Sequence, residues 1–241
     1  MKTLIIGIFV LLSFSTFGQD MQKYLTETQT MVNEKKYDEA LKRYIWFQDH
    51  VLEYEPAMAG VRLSFAISSW KDLADIYPPA LTALSEMRNK KTKEILDSNA
   101  SLKLFADVAA INRELENETK TIELFETIAK QHPEKSKLCW YWVKDALFNA
   151  KRYDIIQNYI GNPVNEFTLL KSQYDLMNSV QKNENLNRPH LKIFNDNNLV
   201  EKSLELIKFS VAVNDLKSAK EIREKAMNVV IDNRLKNLKI D

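Results

Sequence analysis

The side chains able to catalyse a reaction or hold a metal are few and scattered. The 241-residue chain has three histidines, His50, His132 and His190, and one cysteine, Cys139. A zinc site on a helix needs two histidines four residues apart, and no two stand at that spacing. His132 precedes Pro133 where a helix should end, so its default role is a cation offsetting a dipole. His50 follows Asp49, but sequence neighbours on a helix point about 100° apart and make no dyad. His190 lies near an expected irregular loop and lacks the partners that catalysis requires. Cys139 adjoins Trp140-Tyr141-Trp142 in a helical pattern and reads as a small buried hydrophobe. The acid pairs Glu53 with Glu55 and Asp72 with Asp75 are the right residue types for glycoside hydrolysis, although solvated helix faces account for them more simply. The expectation is a protein with no catalytic residue, no cofactor and no metal.

Glycine narrows the field further. Only four occur, and Gly7 and Gly18 fall in an expected targeting segment, which leaves Gly60 and Gly161. Phosphate-cradling loops and the dinucleotide fingerprint cannot be written with these, nor can the turns of sandwiches, barrels or doubly wound sheets. With 45% hydrophobic and 28% charged residues the chain has the composition of a packed protein, so a mostly helical fold is expected. Residues 1–18 combine Lys2, an apolar run from Leu4 to Leu12 and small residues up to Gly18, the pattern of a cleaved secretory signal peptide. The apolar run falls well short of the roughly 20 residues of a membrane span. Removing residues 1–18, Lys2 included, leaves 33 basic and 33 acidic residues, a balance that argues against nucleic acid as partner and against a general membrane-surface role. A periplasmic or secreted protein without an integral membrane segment is expected. The basic runs Arg88 to Lys93 and Arg234 to Lys239 read as helix C-termini with cations offsetting the dipole.

Chemistry being thin, organisation carries the reading. Lys36 to Leu41 opens a helix in which Ala40, Tyr44, Phe47 and Val51 recur on one stripe. Similar starts follow at Tyr77-Pro78-Pro79-Ala80, at Glu118 to Thr121, at Tyr153 to Ile156 and at Leu216 to Ala219, so the anchors are 37, 77, 118, 153 and 216. Residues 161–198 break the rhythm: Gly161-Asn162-Pro163 stops a helix, a helix over Glu166 to Gln181 carries Phe167, Leu170, Tyr174 and Met177, and asparagine dominates Asn183 to Asn198. An irregular loop is expected there. One closing helix is expected from Leu216 to about Leu238, with Glu221 and Lys225 paired at i, i+4.

With its anchors at Tyr37-Ala40-Tyr44-Phe47, its closing spacing at Phe125-Ile128-Pro133 and its small-residue pair Ala219 and Ala226, the chain resembles the tetratricopeptide repeat family. Tyr24, Phe105 with Val108 and Ala109, and Trp140 stand at the family's first-helix positions. The inter-helix glycine of that family is absent throughout, and Ser64 replaces an aromatic. The resemblance implies an all-α fold of antiparallel helix pairs stacked as an irregular α-solenoid, with repeats over 19–160, an irregular repeat with an Asn-rich loop over 161–198 and a C-terminal helix pair over 199–241. It also implies a concave face that binds a protein or peptide partner. Carried onto this chain, that face takes Arg62, Phe65 and Asp72, then Arg113 and Glu114, then Tyr141, Asp145 and Phe148. Trp140, Trp142, Trp46 and Trp70 are assigned to the core. A structural subunit of an envelope assembly is the alternative expectation, and a helical glycan-processing enzyme the more remote one.

Overall fold

Apolar spacing near 3.6 residues recurs along the chain, and burying each stripe requires helix to lie on helix. A computed structural model describes residues 21–97, 102–183 and 189–240; the expected signal peptide lies outside them. Among the described residues there is no strand. The helices are α1 (Met21–Asn33), α2 (Tyr37–Tyr54), α3 (Ala59–Arg62), α4 (Phe65–Ile76), α5 (Pro78–Asp97), α6 (Leu102–Glu114), α7 (Glu118–Gln131), α8 (Pro133–Asn149), α9 (Tyr153–Ile156), α10 (Pro163–Asn183), α11 (Pro189–Ala212), α12 (Leu216–Met227) and α13 (Asn233–Lys236). Helices start at Tyr37, Pro78, Glu118, Tyr153 and Leu216, within a residue of each anchor. No helix among the described residues is long and apolar enough to cross a membrane.

The chain forms two units, one comprising the residues up to Lys91 with Ala110–Glu116, the other Thr92–Ala109 with Asn117 onward. In the first, α1 packs on α2 and α2 on α4. Its core joins Tyr44, Ile67, Trp70, Leu73 and Leu84 with Ala110 and Ile111. The Trp70 indole donates to the Ala80 carbonyl at 3.0 Å, which satisfies the one polar atom that burying a tryptophan entails. Trp46 is half-buried against a smaller cluster with Tyr24 and Phe47. Arg43 lies over the Tyr24 ring at 3.7 Å and donates to the Tyr24 carbonyl and the Thr28 hydroxyl, tying α2 to α1.

In the second unit α7 packs on α8, α10 on α11, and α11 on α12. Phe105, Phe125, Val143, Leu147, Phe167, Ile207 and Leu235 share its core, with Trp140 and Trp142 half-buried at the margin. Tyr159 stacks on Trp140 and meets the Phe125 edge.

Among the described residues, four turns between helices use a left-handed residue that is not glycine: Lys35, Glu116, Lys151 and Asn214, at φ 62, 52, 54 and 61°. In three of them the flanking amides make the paired bonds of a Schellman cap, as where Lys151 and Arg152 donate to the Phe148 and Leu147 carbonyls. The missing inter-helix glycine therefore leaves the left-handed turn in place, made by residues that pay a steric cost for it.

Several boundaries differ from those expected. The basic run Arg88 to Lys93 lies inside α5, and Arg88 is buried, donating to the Asn112 side chain at 3.2 Å; the Pro78-Pro79 start launches a helix long enough to carry the run past the middle. Helix α9 stops after one turn, ahead of Gly161 at φ +65°. The expected loop up to Asn198 is helical from Pro189 onward, while 184–188 lie outside the described residues. Asn195 donates to Asn178 at 3.2 Å and Asp196 accepts from Tyr174 at 2.8 Å, so partners on α10 outweigh the low helix propensity of asparagine. The single closing helix is broken in two: after α12 the β-branched stretch Val229-Val230-Ile231 leaves the helix, and Asp232 caps α13 by accepting from the Arg234 amide at 2.7 Å. The break brings Leu235 into the core, fully buried.

Candidate binding surface

Helix α4 buries Ala66, Ile67, Trp70, Leu73 and Ala74, which turns Phe65, Asp72 and Ile76 outward on the remaining face. Phe65 is 74% exposed, unusual for a phenylalanine on a helix with a full core stripe. Two turns separate it from Asp72, about 10 Å along the axis. Arg113, in the last turn of α6, donates to the Leu63 carbonyl at 3.0 Å and contacts the Glu114 carboxylate at 3.5 Å. The Leu63 carbonyl precedes Phe65 by two residues, so the arginine and its acid stand at the end of α4 where the aromatic projects. Phe65 and Asp72 thus share the outward face of α4, and Arg113 is bonded to the chain just ahead of that helix. Ile76, which the sequence did not single out, extends this face; its i+11 spacing from Phe65 is the signal that would have found it.

Arg62 does not belong to that surface. It is 3% exposed, donates to the Gln48 carbonyl at 3.1 Å, and its own carbonyl accepts from the Gln48 amide at 2.7 Å. The cause is a chain break: Ser64, at φ −132° and ψ −94°, separates α3 from α4, so the helical register that would put Arg62 beside Phe65 ends between them. Burial pushes the nearby Tyr44 phenol up to about 12; the Ser69 hydroxyl opposes this and the Asp72 carboxylate adds to it.

In the second unit α8 carries the other expected residues. Tyr141 is 63% exposed, meets the Trp142 ring edge-on at 5.0 Å, and has the Lys144 ammonium 5.5 Å from its centroid. Leu138, three residues earlier and also exposed, widens the same face. Asp145 is exposed and pairs with Lys202 at 2.9 Å, which also reaches Glu205 at 3.0 Å. Lys202 titrates above its ordinary value because the pull of both carboxylates outweighs the opposing effect of its burial. Burial raises Glu205, with Lys202 opposing. Phe148, expected on the surface, is buried and packs edge-on against Phe209 at 6.2 Å. It lies about 180° round α8 from Cys139, off the stripe of Cys139, Val143 and Ala146, and is buried because Phe209 of α11 covers the other side of the helix there.

Two more of the singled-out titratable residues make local contacts. His50 approaches Glu53 at 3.3 Å on an exposed face, and Asp75 pairs with Lys71. His132 joins α7 to α8, and His190 is exposed near the start of α11. Burial pushes the Cys139 thiol up to about 11, the opposite of activation. Among the described residues no three metal-ligating side chains cluster. Nothing matches this chain among protein-family models, curated proteins or solved structures.

Proposed function

We propose that the protein is a non-enzymatic, secreted or periplasmic helical-repeat module, an irregular solenoid of the tetratricopeptide type, that binds a protein or peptide partner. The first unit supplies its anchor on the outer face of α4, where Phe65 projects beside Arg113 and Glu114; Tyr141 with Leu138 on α8 is the corresponding face of the second unit. The observation that carries this reading is Phe65, a large ring held in water on a helix whose opposite face is fully packed. Aromatic and arginine side chains are the ones that dominate interface energetics, and the Arg113 guanidinium, fixed on a backbone carbonyl, is ready to meet a partner carboxylate. The repeated helix starts support the solenoid reading, and the sequence of residues 1–18 supports export.

Two experiments test this. Mass spectrometry of the protein recovered from its producing cells should show a mature chain beginning at Gln19; an intact Met1 end would overturn the export reading. Affinity capture from envelope extract should enrich a partner that Phe65→Ala loses and Arg113→Lys weakens, with circular dichroism unchanged in both. Equal capture by wild type and Phe65→Ala would move the binding surface elsewhere.

A further inference from the structure

We propose that the aromatic, acidic end of α2 docks an arginine-bearing segment of a partner protein. The guanidinium lies on the Trp46 and Tyr54 rings and pairs with the Glu53 or Asp49 carboxylate. Trp46, His50 and Tyr54 recur at i, i+4 and i+8, and the Trp46 ring stands 5.6 Å from that of His50 and 5.4 Å from that of Tyr54. The rings are tilted by 35° and 42° rather than stacked. The core stripe of α2, Ala40, Tyr44, Phe47, Gln48 and Val51, occupies another side of the helix, and Tyr54 is 58% exposed. Trp46 to Tyr54 spans about 12 Å along the axis, room for one or two guanidinium groups. Charge here is one-sided. From Tyr44 to Val61 the chain carries Asp49, Glu53 and Glu55 and no lysine or arginine. The last turn of α2 therefore has no basic residue, although the helix dipole favours a cation at that end.

The chain itself uses this chemistry at the other end of the same aromatic run. The Arg43 guanidinium lies 3.7 Å from the Tyr24 centroid and pairs with Glu27 at 3.1 Å, and Tyr24 meets Trp46 at 5.0 Å. Ring and carboxylate are combined again at Trp46, Tyr54, Asp49 and Glu53, and among the described residues no cation lies over either ring. The surrounding charges leave this combination open. Glu55 accepts from the Met21 amide at 3.3 Å, and Glu53 has for a neighbour the His50 imidazole at 3.3 Å, charged only when protonated. Lys42 stands one turn before Trp46 and about three before Tyr54. Lys23 of α1 is about 160° round its helix from Met21, which is buried toward α2. Carboxylates at an uncompensated helix end select a cation, and aromatic faces select a flat, weakly hydrated one. A guanidinium meets both demands, since it stacks on a ring while its edge bonds a carboxylate. The site goes beyond the α4 surface and does not depend on Phe65.

Isothermal titration of the full chain without its expected signal peptide, at about 50 mM salt, tests this with capped hexa-arginine as the probe. Saturable binding at micromolar concentration is expected, several-fold weaker for capped hexalysine, which lacks the planar fork. Tyr54→Ala and Glu53→Gln should each weaken it about two- to fivefold and the two together about tenfold. Glu134→Gln, at the exposed start of α8, should leave it unchanged. The Tyr54 and Glu53 side chains are exposed, so the variants retain the fold, and circular dichroism verifies it. Three results would overturn the proposal: no binding of hexa-arginine, equal losses from Glu53→Gln and Glu134→Gln, or binding of cellohexaose through these rings in place of the cationic peptide. A defined peptide keeps the outcome separate from the envelope capture that tests α4.

Discussion

At the scale of single residues, burial decides which of the expected surface positions can meet a partner. Phe65, Arg113, Glu114, Asp72, Tyr141 and Asp145 can; Arg62 and Phe148 cannot. Replacing Arg62 by alanine removes a buried side chain and its bond to the Gln48 carbonyl, and urea unfolding should register a loss of about 2–3 kcal/mol, whereas Phe65→Ala should change stability by less than about 0.5 kcal/mol. Equal effects would mean that Phe65 is part of the core. Cys139 and Tyr44 both hold their protons more tightly in the folded chain, with values raised to about 11 and about 12. The folded state then binds more protons than the unfolded one at alkaline pH, so stability is full below the unfolded thiol value near 8.5 and falls as pH rises toward 11. Unfolding midpoints measured from pH 7 to 10.5 should decline accordingly, and Cys139→Ala should flatten the decline. The core assignments of Trp70 and Cys139 were legible because each sits on a clear apolar stripe. Arg62 was not, since nothing in its own residue type announces that Ser64 interrupts the helix two positions later.

At the scale of elements, the helix starts were the most legible feature, because a tyrosine or proline start followed by a small residue and a regular stripe is a local signal. Ends were less so. The break after Met227 depends on Leu235 reaching the core, and the helical state of Asn195 to Asn198 depends on Asn178 and Tyr174 across a helix pair. Both are tertiary effects that no local pattern contains. The turns allow a sharper test. Lys151 occupies a left-handed turn at φ 54° that glycine adopts without a steric penalty. Lys151→Gly should raise stability by about 0.5–1 kcal/mol, the relief of strain exceeding the added freedom of the unfolded chain; an unchanged or lowered melting temperature would show that the turn stores no strain. At the other side of such a turn, Asp215 caps α12 by accepting from the Ser218 amide at 3.0 Å. Hydrogen bonds from Ser218 hold its carboxyl below the usual range, so this contribution is present above the unfolded value near 3.9 and disappears as pH falls through the lower folded one. Asp215→Ala should cost about 1 kcal/mol at pH 7 and much less at pH 2.5, by thermal unfolding.

At the scale of the molecule, the proposed binding role rests on two exposed surfaces, one on α4 and one on α8. Each unit has its own core and its own exposed aromatic face, Phe65 with Arg113 in one and Tyr141 with Leu138 in the other. The sequence pointed to the residue types of both faces. It could not tell which of them the core would absorb, because a shift of one residue along a helix turns a side chain by about 100°. Site-specific photocrosslinking in the producing cells tests the binding role most directly, with a benzophenone amino acid in place of Phe65 and, as control, in place of the exposed Lys42 of the same unit. A discrete adduct with another protein at position 65, absent at position 42 and diminished when Arg113 is changed to glutamate, is the result predicted. Adducts that are equal at the two positions, or none at position 65, would contradict the account.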